Sequence, residues 1–207
     1  MNTKLIVLPV LIFAFASIAV AQKDNAEAII KPARGIRSVD FRNFSYRITL
    51  GDPAKAQPIK LQNGKYEDGG KYEAGGLLYE LYGKPAYGDV NGDGIEDAVV
   101  EIKLSGSPTY RAFEVQAYTF RNRRVQLLAR LNSDRVLSDY RRYYPKGDLH
   151  YAGNSAPKIN NGHLIVEALT DGSFACPEHT AIFKYRLSSG RVLLSGKPVR
   201  KQFVCSG

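Results

Sequence analysis

Polar and apolar residues alternate with a period of two along most of this chain, the pattern of strands that bury one face and wet the other. Over residues 43–50, Phe44, Tyr46, Ile48 and Leu50 fall on one face, and Asn43, Ser45, Arg47 and Thr49 on the other. Residues 77–87 are apolar and rich in Tyr, with Pro85 marking an edge or a strand end. Residues 98–104 place Val100, Ile102 and Leu104 together. Residues 110–120 and 125–131 flank Arg121-Asn122-Arg123-Arg124, which reads as a tight turn. Asn63-Gly64 predicts a hairpin, because both residues tolerate the positive φ angles of a type I′ turn. Further strands are predicted over 164–169, 180–187 and 192–199, set off by Asn160-Asn161-Gly162 and Ser188-Ser189-Gly190. One segment departs from period two. Val136, Leu137, Tyr140 and Tyr144 recur at helical spacing behind Asn132-Ser133, which predicts a short helix near 133–144, with a loop as the alternative.

Eight or nine short strands joined by tight turns predict an all-β fold, antiparallel meanders and hairpins forming a sandwich or a propeller-like stack. A propeller blade takes about 40 to 50 residues. A closed propeller from one chain of this length is therefore disfavoured.

The first 21 residues stand apart from this pattern. Lys4 precedes the apolar run 5–20, and Ala19-Val20-Ala21 is a small-x-small cleavage site, so 1–21 reads as a signal peptide and the protein as exported, periplasmic or extracellular. The apolar run is too short for a membrane span with stop-transfer flanks. Residues 22–38 carry charge, Pro and Gly without a period and are expected to be a flexible leader, leaving 39–207 as a single β-rich domain. Export implies oxidising surroundings, and with only two cysteines in the chain a Cys176–Cys205 disulfide is expected across the last hairpin. Continuing that hairpin from Ser188-Ser189-Gly190 brings residue 176 opposite 202 or 203, close to Cys205.

Net charge is +9, a basic protein that attracts anions at long range without choosing among them. The excess concentrates between 121 and 146. Arg123, Arg124, Tyr140, Arg141, Arg142 and Tyr143 in that stretch can grip phosphate or carboxylate through guanidinium forks and stack rings on sugars or bases. The plainer reading is a solvated strand face, where Arg is a common occupant.

Only residues 88–97, GDVNGDGIED, imply specific chemistry. Asp89, Asn91, Asp93 and Asp97 supply side-chain oxygens, the Ile95 carbonyl sits between the last two, and Gly94 allows the sharp turn that lets the ligands converge. Hard Ca2+ takes six to eight such oxygens. An EF-hand would require a bidentate Glu at the twelfth position, where Val100 stands with Glu101 one residue late, and helices on both sides. The alternative is a plain polar turn. The segment GDVNGDGIEDAVV resembles the loops of the VCBS and FG-GAP repeat proteins, which connect two antiparallel strands and bind calcium. That resemblance implies one structural calcium ion, here from a single copy of the loop. More loosely, DFRNFSY, this loop and ACPEHT are similar to a group of uncharacterised exported bacterial proteins, a likeness that brings no function with it.

Catalytic signals are weak. His150, His163 and His179 show no zinc or nucleophile-base spacing, with His179 the one worth watching beside Cys176. No catalytic residue is assigned. The expectation is therefore a non-enzymatic, calcium-stabilised domain that binds an anionic polymer or glycan of the cell envelope. A wall-glycan hydrolase using carboxylates such as Glu167, Asp171 and Glu178 is the alternative. No nucleic-acid motif is present.

Overall fold

Alternation resolves into thirteen strands, one α-helix and two single-turn 3-10 helices (Ile36–Ser38 and Phe41–Asn43) in a computed structural model that describes residues 35–49, 57–69, 76–106, 111–152, 155–173 and 175–205. The expected signal peptide and residues 22–34 of the expected leader lie outside the described residues. The elements are β1 (Ser45–Ile48), β2 (Gln57–Lys60), β3 (Lys65–Glu67), β4 (Leu78–Gly88), β5 (Asp97–Ser105), β6 (Arg111–Arg121), β7 (Arg124–Asn132), α1 (Ser133–Arg141), β8 (Leu149–Ala152), β9 (Lys158–Asn160), β10 (His163–Gly172), β11 (Pro177–Ser188), β12 (Arg191–Leu194) and β13 (Val199–Gln202). All pairings are antiparallel. Among the described residues no helix is long and apolar enough to cross a membrane.

A five-stranded sheet in the order β3-β4-β5-β6-β7 forms the middle layer. Val99, Phe113, Val115 and Ala117 on one face pack against Leu164, Val166, Phe183 and Tyr185 of β10 and β11, with Val136 and Tyr140 of α1. Ala98, Val100, Ile102 and Leu104 on the other face pack against Tyr46, Ile48, Ile59 and Leu61 of the small β1–β2 layer. Strand β5 is thus buried on both sides, although Asp97, Glu101 and Lys103 interrupt the apolar residues of the face that carries Val99. A buried polar network fastens the small layer to β6. Glu114 accepts from the Thr49 N–H at 2.9 Å and hydroxyl at 2.7 Å, Gln116 donates to the Arg47 carbonyl at 2.9 Å, and the Tyr118 hydroxyl donates to Gln116.

The second large sheet runs β12-β11-β10-β8, with β9 also on β10 and β13 also on β11. The three predicted Asn turns form, and so does the Ser189-Gly190 turn, each with positive φ at both central residues: Asn63-Gly64, Asn122-Arg123, Asn161-Gly162 and Ser189-Gly190. The helix forms over Ser133–Arg141, where the Asn132 side chain accepts the Arg135 N–H at 3.0 Å.

Two local expectations change, and a third is met in one of its two forms. Pro85 lies inside β4 and not at a strand end, but beyond Leu78–Glu80, the stretch that β3 pairs, and so on an edge. A register break between Tyr82 and Ala86 carries it out of the ladder. Gly83 in that bulge has φ +67°, and a Cβ there would sit 2.7 Å from Ala156. Residues 35–38, assigned to the leader, are part of the fold: Ile36 is buried, and Arg37 makes a bidentate pair with Glu96 at 2.7 and 2.8 Å. The last hairpin is also not continuous. Residues 195–198 interrupt β12 from β13 and shift the register by two, so that β13 pairs His179 with Gln202. Three more steps outward bring Cys176 opposite Cys205, and the disulfide forms there with a Cα–Cα distance of 5.9 Å.

Candidate metal loop and adjoining clefts

The acidic loop joins β4 to β5, whose last and first residues, Gly88 and Asp97, face each other in the ladder. Its conformation is set by carboxylates accepting backbone N–H groups. Asp89 Oδ1 accepts from Gly92 at 2.7 Å and Asp93 at 3.1 Å, and Asp89 Oδ2 accepts from Gly94 at 2.8 Å. Asn91 accepts from Asp93 at 3.0 Å, and Asp93 Oδ1 from Ile95 at 2.8 Å. Gly92 and Gly94 both take φ +80°, where a Cβ would be strained. The Gly94 N–H, with those of Gly92, Asp93 and Asn91, holds the Asp89 carboxyl below the usual carboxylate range. A carboxylate offers about four lone pairs. Asp89 Oδ2, Asn91 Oδ1 and Asp93 Oδ1 each retain one after these bonds.

Asp97 differs from its neighbours because it is fully buried. Its Oδ2 accepts the Val90 N–H at 3.2 Å, while Oδ1 has no well-formed hydrogen bond among the described residues. Burial pushes this carboxyl up, against the pull of the Val90 N–H and the Thr119 hydroxyl, and the charges of Asp93 and Asp89 push it further. Asp97 therefore shares its surroundings with both acids. Thr119 lies across from it on β6, and its buried Oγ1 also lacks a well-formed bond. The arrangement offers oxygens from four side chains, with the Ile95 carbonyl from the same loop. Among the described residues, no three acidic, imidazole or thiol groups already stand around one metal-sized centre. Arg121, at the end of β6, instead neutralises Asp93 through an ion pair to Oδ2. Sequence reasoning missed both Thr119 and Arg121. Only the cross-strand register, which sets residue 119 beside residue 97, reveals them.

Two clefts flank the loop. One, of about 360 Å³, lies between Asp93 and Arg121 on one side and the Ser188-Ser189-Gly190 turn on the other. The second, of about 310 Å³, is lined by Asn91, Gly162 and Arg186.

The basic and aromatic residues do not form one strip. Arg123 and Arg124 are exposed at the β6–β7 turn, the turn that carries Arg121. Tyr140 is fully buried, and its hydroxyl donates to Asp171, so its ring offers no stacking surface. Arg141 donates to the Gly147 carbonyl at 2.9 Å and Arg142 pairs with buried Asp139 at 3.3 Å, while Tyr143 is exposed. Tyr140 ties this group to Asp171, eight residues along β10 from His163, whose turn borders the metal loop. At about 3.3 Å per residue the two ends of that strand segment lie about 26 Å apart.

Asp171 is a hub that no motif announces. It takes φ +60°, and its Oδ2 accepts from Tyr140 and from Arg200 at 3.4 Å, with His179 Nδ1 3.3 Å away but not hydrogen-bonded, while Oδ1 accepts the Asp148 N–H at 3.2 Å. Burial raises its carboxyl, but Tyr140, the Asp148 N–H, Arg200 and His179 outweigh that and hold it below the usual range. Of the other carboxylates weighed for glycan hydrolysis, Glu167 pairs with Lys158 at 3.7 Å and Glu178 is exposed with His179 Nδ1 at 4.0 Å. A glycosidase acid needs a raised pKa, which is the reverse of what Asp171 has.

Comparison of the chain with protein-family models, with curated proteins and with solved structures finds no match.

Proposed function

We propose that this is an exported, non-catalytic domain in which one structural calcium ion ties β4 to β5, and whose cationic surface binds an anionic polymer or glycan of the cell envelope. One observation supports the ion above all others: among the described residues Asp97 Oδ1 makes no well-formed hydrogen bond although fully buried, with only the Thr119 hydroxyl near it, and two neighbouring acids repel its charge. A dication would remove that repulsion and use the lone pairs that the amide bonds leave open. Export rests on the pattern of residues 1–21, and the Cys176–Cys205 bond suits an oxidising compartment. Binding rests on the net charge of +9 and on the exposed arginines of the β6–β7 turn.

Extracellular calcium modules bind with Kd of about 10⁻⁴ to 10⁻³ M, so 5 mM calcium stabilises the fold by about 1 to 2 kcal/mol. The expected rise in Tm over an EDTA control is about 2 to 8 °C for a domain of this size. Asp97→Asn preserves shape and removes the charge, so the variant melts at the same temperature with or without calcium. Asp93→Ala should do likewise. No calcium-dependent rise in the parent protein ends the calcium reading.

A further inference from the structure

The cleft of about 360 Å³ beside the metal loop has a chemistry of its own. Gln126, Ser188 and Ser189 line it with amide and hydroxyl groups, Leu127 adds an exposed apolar surface, and Arg121 adds a guanidinium. Hydroxyl and amide groups match the ring of a sugar, and a guanidinium fork matches a carboxylate. Among the described residues the lining holds no aromatic ring on which a nucleic-acid base could stack. The volume sits at the small end of the range for ligand sites, enough for one or two sugar rings.

Arg121 is not at liberty to receive such a ligand, because its guanidinium is paired with Asp93. Asp93 is also one of the expected calcium ligands. Calcium at Asp93 Oδ1 would stand beside the guanidinium on Oδ2 and cut the charge of the three acids from three negative to one, which loosens their hold on Arg121. A second observation points to the same turn. Arg123, exposed and two residues beyond Arg121, holds φ +60° at the position of a type I′ turn that favours Gly, against a backbone penalty.

We propose that this cleft binds a carboxylated sugar, and that calcium opens it by taking Asp93 from Arg121. The inference rests on the calcium reading. Coupling of this kind is reciprocal, so the sugar in turn tightens calcium binding.

The test is calorimetric titration of the full protein with cellobiouronic acid, and with neutral cellobiose, in 5 mM calcium and in EDTA. The acidic disaccharide is expected to bind at least tenfold more tightly in calcium, while cellobiose binds weakly and equally in both. Arg121→Gln is expected to lose the acidic disaccharide in both conditions and to bind calcium several-fold more tightly, since nothing then competes for Asp93. Arg121→Lys keeps the charge without the fork and should recover little of the sugar binding. If calcium raises Tm but the acidic disaccharide binds equally in calcium and EDTA, this inference falls and the calcium reading stands. If calcium leaves Tm unchanged, both fall. Unaltered sugar binding by Arg121→Gln also overturns the proposal, as does an oligothymidylate that outcompetes the disaccharide in calcium.

Discussion

Glu101 is a fully buried carboxyl on β5, four residues beyond Asp97 and on the same face of the strand, with Oε1 unpartnered. Burial pushes its pKa up to about 8, and Lys103 beside it pulls the other way. Burial lowers Lys103 in turn, although its ammonium rests 3.1 Å from the centre of the Tyr82 ring. At four strand residues, about 13 Å, from Asp97, Glu101 is too far along β5 to serve as a twelfth-position ligand to the loop. Its effect is on stability. The folded pKa lies above the unfolded value, so below about pH 4.5 the group is neutral in both states and costs nothing. As pH rises towards 8 the unfolded chain releases the proton and the folded chain keeps it, so stability falls across that window. Glu101→Gln removes the titration. Denaturant midpoints measured from pH 5 to pH 9 should slope downward in the parent and flatten in the variant, with a relative gain on the order of 3 kcal/mol at pH 9. Parallel curves would show that the carboxyl is already ionised in the fold.

At the scale of elements, turns are where sequence and backbone agree most closely, and one turn shows a conflict. Asn63-Gly64 and Asn161-Gly162 put Gly at the second left-handed position, whereas Asn122-Arg123 puts Arg there at φ +60°. A left-handed conformation costs a residue with a Cβ about 1 kcal/mol or more relative to Gly. Arg123→Gly should therefore raise the free energy of unfolding by about 1 kcal/mol, read as a higher urea midpoint with an unchanged slope. A lower midpoint would mean that the Arg123 side chain makes a contact worth more than its backbone penalty. The same comparison shows what the sequence could reveal. Period-two runs located β1, β4, β6, β7 and β10 to within a few residues, and Asn132 with the 3.6-residue recurrence located α1, because each signal is local. The hidden features all depend on partners distant along the chain. Strand β5 read as half-buried because nothing in residues 98–104 announces a second layer on its other side. The two-residue shift between β12 and β13 depends on residues 195–198 folding out of the ladder. The loop itself was legible, but the neighbours that give it chemistry, Thr119 and Arg121, belong to another strand.

For the whole molecule, the surplus of positive charge matters less than where the fold puts it. Between 121 and 146 there are eight Lys or Arg against Asp134 and Asp139, which in the sequence reads as one continuous patch. Strand β7 and α1 carry the chain away from the acidic loop, and the two halves of that patch end about 26 Å apart by the length of β10. That separation exceeds two Debye lengths at physiological salt, so the halves act as independent sites. Their local chemistry also differs. Arg141 and Arg142 are engaged with Gly147, Asp148 and buried Asp139, and Arg200 covers the Tyr144 ring at 4.2 Å, so this end uses its cations to hold α1 and β13 together. Arg123 and Arg124 stand exposed in a turn beside a cleft. Replacing Arg141 and Arg142 together with Gln should therefore cost about 1 to 2 kcal/mol of stability, because Asp139 loses one of its two guanidinium partners and the Gly147 carbonyl loses its donor. Affinity for cellobiouronic acid in calcium should be unchanged in that variant. Replacing Arg123 and Arg124 with Gln should do the opposite, leaving Tm within a degree or two while weakening the acidic disaccharide and making the remaining affinity less sensitive to salt. Melting curves and calorimetry on the two double variants decide between the ends. A variant at 141 and 142 that keeps its Tm and loses the disaccharide would move the binding surface to α1, away from the loop.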